Sequence, residues 1–143
     1  MTARAVAERL GGKRVLKREV RTDLDLVDAI EDGLPVGAVD AVIGSGTLSA
    51  PEIYELVIPR RTLAHRTDKG QRLSAEQSDR LTRVVRVAGR AEEALGDEEK
   101  AARWLRKPNR GLQGKRPLDL LDSDLGARLV EQSLGRIEHG LVA

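Results

Sequence analysis

Two histidines, His65 and His139, are the only imidazoles of this 143-residue chain, and cysteine is absent. The two stand 74 positions apart and do not announce a zinc site, and without cysteine there is neither thiol chemistry nor a disulfide. Gly44-Ser45-Gly46 is a weak echo of a phosphate loop, but neither a P-loop nor a dinucleotide-binding glycine pattern follows it. Asp119, Asp122 and Asp124 lack the spacing and the glycine of a calcium loop, and Asp122 and Asp124 suit the start of a helix instead. Glu98 and Glu99 sit on a helix expected to be exposed. The chemistry on offer is binding, not catalysis: an enzyme is not expected, nor is a metal or any cofactor.

The residues that do form a constellation are cations. Arg60, Arg61, Thr62, His65, Arg66 and Lys69 follow Pro59 within one helical stretch. A recognition helix presents such side chains to base edges in the major groove, while flanking Lys and Arg meet phosphates. Arg60, Arg61 and Thr62 fall in the first turn, where backbone N–H groups also favour phosphate. The plainer alternative is a solvated basic helix, with His65 a polar surface residue. Charge distribution supports the first reading. Residues 1–21 carry a net +5, residues 22–58 a net −8, residues 59–90 a net +6 and residues 91–143 a net −1, so the overall +2 conceals two basic blocks.

These side chains need helices to hold them. Thr22 precedes DLDLVDAIEDG, an acidic-start helix ended by Gly33, in which Leu24, Val27 and Ile30 recur at helical spacing. Pro35 opens PVGAVDAVIG, and Ser49 precedes APEIYELV, with Ile53, Leu56 and Val57 as its expected apolar face. Residues 49–70 therefore read as helix, tight turn, helix. Ser74 and Gln77 make a capping-box start for a long helix, Asp97 caps the next, PNRGLQGKRP is a loop and Ser123 caps the last. Only IYELVIP could be a strand. Hydrophobic residues make up 40% and aromatics 1%, a balance that suits aliphatic helical packing. No apolar run approaches a membrane span and the basic N-terminus lacks a signal's apolar core, so a cytoplasmic protein without membrane contact is expected.

The C-terminal third carries the most specific pattern. Gly96-Asp97, Ala102-Arg103-Trp104-Leu105, Pro108-Asn109, Leu112, Gly114, Pro117-Leu118-Asp119-Leu120-Leu121, Gly126 and Leu134-Gly135-Arg136-Ile137-Glu138-His139-Gly140 resemble the toxin-binding domain of the Xre/MbcA/ParS antitoxins. The stretch IPRRTLAHRTDKGQRLSAEQSDRL is similar to the DNA-binding half of the same family. The terminal Leu141-Val142-Ala143 departs from it, since members often carry an aromatic near the end.

The resemblance implies an all-α fold, a helix-turn-helix DNA-binding region followed by a small helical toxin-binding domain. It implies a neighbouring RES-domain toxin that consumes NAD, an antitoxin C-terminus that covers the toxin's NAD pocket, operator DNA as a second partner in autoregulation, and a homodimer. The toxin-facing residues it points to are Trp104, Pro108, Asn109 and the closing run Arg136, Ile137, Glu138, His139, Gly140, Leu141, Val142 and Ala143. The residues themselves leave room for plainer roles: Trp104 in core packing, Pro108 shaping a loop, Arg136 to His139 a solvated helix end. The expected organisation is a basic arm over 1–21, flexible or adding phosphate contacts, a DNA-binding domain over 22–90 and a toxin-binding domain over 91–143. The alternative is a free-standing helix-turn-helix regulator whose C-terminal domain only dimerises; a protein–protein adaptor without a DNA role is a third reading.

Overall fold

The computed structural model of the chain describes residues 1–140. Among these the regular elements are helical, and the only β-type pairing is one isolated bridge between Asn109 and Lys115. The chain divides into two compact units, residues 1–85 and 86–143.

The first unit contains α1 (Ala3–Arg9), α2 (Gly12–Leu16), α3 (Asp23–Asp32), α4 (Gly37–Gly44), α5 (Ala50–Leu56), α6 (Arg60–Asp68) and the first half of α7 (Ala75–Leu95). Side-chain caps start α3, α5 and α7 where the sequence signals them. Asp25 N–H donates to Thr22 Oγ1 at 3.1 Å while the Asp25 carboxylate accepts from the Thr22 backbone N–H. Ser49 and Glu52 repeat this reciprocal box at α5. Ser74 and Gln77 do so at α7, with bonds of 2.9 and 3.0 Å. Each box satisfies two of the orphan donors of a first turn. The core is aliphatic: Val6, Leu10, Leu16, Leu34, Val39, Leu48, Ile53, Ile58 and Leu81 are fully buried.

One expectation changes here. Residues 1–21 are not a flexible arm, because Ala3, Val6, Ala7, Leu10, Leu16 and Val20 are buried and tie α1 and α2 into the unit's core. The helix expected after Ser49 forms, and IYELVIP is helical through Leu56, begun by the Ser49–Glu52 box with Pro51 in the first turn. On α3 the apolar spacing does not mark the buried side. Ala29 is buried, whereas Leu24 is 75% and Val27 43% exposed.

The second unit contains the rest of α7, α8 (Glu98–Arg106), two 3-10 turns at Arg110–Leu112 and Pro117–Leu120, and α9 (Asp124–Glu138). Asp97 caps α8 by accepting from Lys100 N–H at 2.9 Å, and Ser123 caps α9 by accepting from Gly126 N–H at 3.0 Å. Leu105, Leu118, Leu121, Ala127, Val130 and Leu134 form its core with Val87, Ala88 and Ala91 of α7. Gly126 is required by packing: a Cβ there would stand 1.9 Å from the Leu120 carbonyl oxygen.

Candidate functional site

Two surfaces hold the residues singled out by sequence, one in each unit. In the first, α5 and α6 are separated only by Val57, Ile58 and Pro59, and Val57 and Ile58 are buried. The turn is thus anchored by apolar burial, and Pro59 sends the chain out into α6. No residue of α6 is fully buried. The helix is held at its far end instead. Arg66 Nη1 donates to the Arg72 carbonyl at 2.8 Å, Leu73 is buried, and Leu73 N–H donates to the Leu34 carbonyl at 2.9 Å. Leu34 N–H in turn donates to the buried Ser78 hydroxyl at 2.8 Å. Arg72 Nη1 donates to the Gly33 carbonyl at 3.0 Å. Gly33 has φ +88°, and a Cβ there would meet the Leu73 carbonyl oxygen at 2.3 Å, so only glycine permits this close approach.

This bracing decides which side of α6 faces outward. Arg60, Arg61, His65 and Lys69 are exposed, with Ala64 and Asp68 on the same side. Thr62, Leu63 and Arg66 are half-buried on the inner side. The six residues expected at DNA therefore divide. Four project from the unit, whereas Arg66 braces the following loop and Thr62 lies alongside it. Among the described residues, Arg60, Arg61 and Lys69 engage in no ion pair, which leaves their positive charge available. An exposed cationic face on a short, tightly connected second helix has the form of a major-groove reader.

In the second unit the expected residues fall at two places. Trp104 is half-buried on α8, and Leu105 beside it is fully buried. Pro108 is exposed. Asn109 organises the loop that follows: its Oδ1 accepts from Gly111 N–H at 2.8 Å, its carbonyl accepts from Gly114 N–H at 2.8 Å, and its own N–H donates to the Lys115 carbonyl at 3.0 Å. Four hydrogen-bonding tasks in one turn favour a loop-shaping Asn109, since Leu112 N–H also donates to the same carbonyl.

The closing run is likewise split by the helix. Arg136, His139 and Gly140 are exposed, Ile137 is half-buried, and Glu138 forms an ion pair with Arg90 of α7. Leu141, Val142 and Ala143, also expected at the toxin, lie outside the described residues. Sequence reading missed one feature of this unit: Leu125 and Leu129 of α9 are 68% and 43% exposed. The available signal was their offset from Ala127, Val130 and Leu134, since two apolar sets on one helix cannot both face one core.

Comparison with known proteins matches both units. The antitoxin Xre-like helix-turn-helix domain model covers residues 25–86, and the antitoxin Xre/MbcA/ParS C-terminal toxin-binding domain model covers residues 90–140. The chain is 36% identical to an "Antitoxin Xre" of Photorhabdus laumondii over 80% of this chain and 78% of that protein. It is 36% identical to an "Antitoxin Xre" of Yersinia enterocolitica over 81% of this chain and 80% of that protein. A more distant relative, 25% identical over 84% of this chain and 82% of its own length, is the "Prs ADP-ribosylating antitoxin" of a Sphingobium strain.

Proposed function

The chain belongs to the Xre antitoxin family, as an antitoxin of a toxin–antitoxin system with a helix-turn-helix domain, and from that premise we propose that it neutralises a RES-domain, NAD-consuming toxin and represses its own operon. Its last helix end and tail, Arg136 to Ala143, cover the toxin's NAD pocket. Its α6 reads operator DNA through Arg60, Arg61, His65 and Lys69, with Thr62 and Arg66 supporting that helix. It acts by binding and needs no cofactor of its own, as a homodimer in the cytoplasm. Organised this way, residues 22–90 serve DNA and residues 91–143 the toxin.

The observation that carries the reading is the end of α9. Within the stretch matched by a toxin-binding domain, Arg136 is exposed and, among the described residues, unpaired, while Glu138 is held by Arg90. A helix end fixed on one side and left polar on the other can enter a cleft that a flat surface cannot. The positive charge suits a pocket shaped for a substrate with phosphates only if the toxin supplies acceptors, so the fit is one of shape first and charge second. An NAD-consuming toxin is supported by the resemblance and by the ADP-ribosylation in one relative's name, since that reaction takes its ADP-ribose from NAD. Two arms test the whole reading. The toxin encoded beside this chain should arrest growth when expressed alone and not when co-expressed, and the purified chain should retard its own promoter fragment.

A further inference from the structure

The outer face of α9 offers an interaction surface that the closing run alone does not explain. The buried face of the helix is Gly126, Ala127, Val130 and Leu134. At about 100° per residue, Leu125, Leu129, Gln132 and Arg136 fall in one narrow strip on the opposite side. Among the described residues of this unit, Leu125 and Leu129 are the exposed large hydrophobics, and Gln132 and Arg136 are exposed beyond them. The strip is edged by Arg128, whose Nε lies 3.1 Å from an Asp124 carboxylate oxygen. It is apolar at its start, polar at its rim and cationic at its end, and it spans about 16 Å at ~1.5 Å per residue. Spacing of i and i+4 is how a helix seats anchors in a groove.

Two leucines are too little for a self-sufficient contact between copies, which takes about 800 Å² per partner. They suit the apolar centre of a larger interface whose rim is polar. The strip runs without interruption into Arg136 and lies inside residues 90–140, the part matched as a toxin-binding domain. We propose that α9 lies lengthwise along the toxin, with Leu125 and Leu129 seated in an apolar groove of the toxin that leads to its catalytic pocket, so that the helix face aims the closing run. This rests on the antitoxin reading above.

The test uses the full chain and the toxin encoded beside it. Leu125→Glu with Leu129→Glu should weaken toxin binding by at least tenfold, with helicity and promoter binding unchanged. Because the chain has no cysteine, Leu129→Cys places a unique thiol for a photo-crosslinker; the expected product is one antitoxin joined to one toxin. Wild-type toxin affinity in the folded double variant overturns the proposal. So does a crosslink only between two antitoxin copies, which would make the strip a self-association surface. A wild-type chain that binds no toxin overturns the antitoxin reading itself, and the proposal with it.

Discussion

The Arg90 guanidinium of α7 pairs with the Glu138 carboxylate of α9, tying the last turn of the final helix to the helix it packs beside. Arg86 makes a second such tie one turn earlier, its Nη2 lying 2.8 Å from Glu131 Oε1. Burial of Ala127, Val130 and Leu134 sets the azimuth of α9, and these two pairs reinforce it. Removing one partner should loosen the helix end without unfolding the unit. Glu138→Ala is expected to cost about 0.2–1 kcal/mol, the range of partly exposed pairs, and to raise amide exchange around residues 134–140. Arg90→Ala should cost at least as much, because it also loses the approach of the same guanidinium to Glu93 at 3.7 Å, and the double variant should add little beyond Arg90→Ala.

Gly126→Ala tests the packing beneath the same helix. The added Cβ meets the Leu120 carbonyl oxygen at 1.9 Å, and backbone has no rotamer with which to retreat. The expected loss is about 1–3 kcal/mol in urea or thermal denaturation, as for overpacked cores. A neutral effect would show that the Pro117–Leu120 turn is free to move away from α9.

On α6 the exposed and braced arginines should separate experimentally. Arg60→Ala with Arg61→Ala should weaken promoter binding and flatten its dependence on log salt by about 1.8, since each lost phosphate contact removes about 0.9. Arg66→Ala loses its hydrogen bond to the Arg72 carbonyl and should lower folding stability by about 0.5–1.5 kcal/mol. Equal effects of the two changes on stability and salt slope would contradict the division of this helix into outer and inner faces.

Acid should weaken the fold through two carboxylates. Backbone N–H groups of Arg21 and then Thr22 donate to Asp25 and hold its pKa below the usual range, while the Arg116 guanidinium does the same for Asp119. In each case the folded pKa lies below the unfolded one, so the unfolded chain takes up the proton first. The stabilisation is whole above the unfolded pKa of about 3.9 and disappears as pH falls through the lower folded value. Asp25→Asn should therefore be less stable than the native chain near pH 7, and that gap should narrow as pH falls below the unfolded value of about 3.9 and close once pH is below the lower folded one. A gap of constant size across this window would show that the capping box gains nothing from the charge.

The helix starts were legible because each is written in residues a few positions apart: Thr22 with Asp25, Ser49 with Glu52, Ser74 with Gln77, and single caps at Asp97 and Ser123. The two N-terminal helices were not legible. Their charge hides a buried set of small and aliphatic residues, Ala3, Val6, Ala7 and Leu10, that only a tertiary core makes meaningful. The candidate surfaces were located by pattern, but not the facing of their side chains. Arg66 and Glu138 look like free charges in sequence, yet each is engaged by a partner that the fold brings near: the Arg72 carbonyl and the Arg90 side chain. Leu125 and Leu129 look like core for the same reason in reverse, because a helix read alone does not say which of two apolar sets meets its neighbours.

The central claim is that the end of α9 and the tail beyond it silence the toxin. The direct measurement is NAD consumption by the purified neighbouring toxin, alone, with the intact chain, and with a chain ending at Gly135. The intact chain should abolish turnover, whereas the shortened chain should still bind through the rest of its C-terminal unit and leave NAD consumption largely restored. Full inhibition by the shortened chain would contradict the claim.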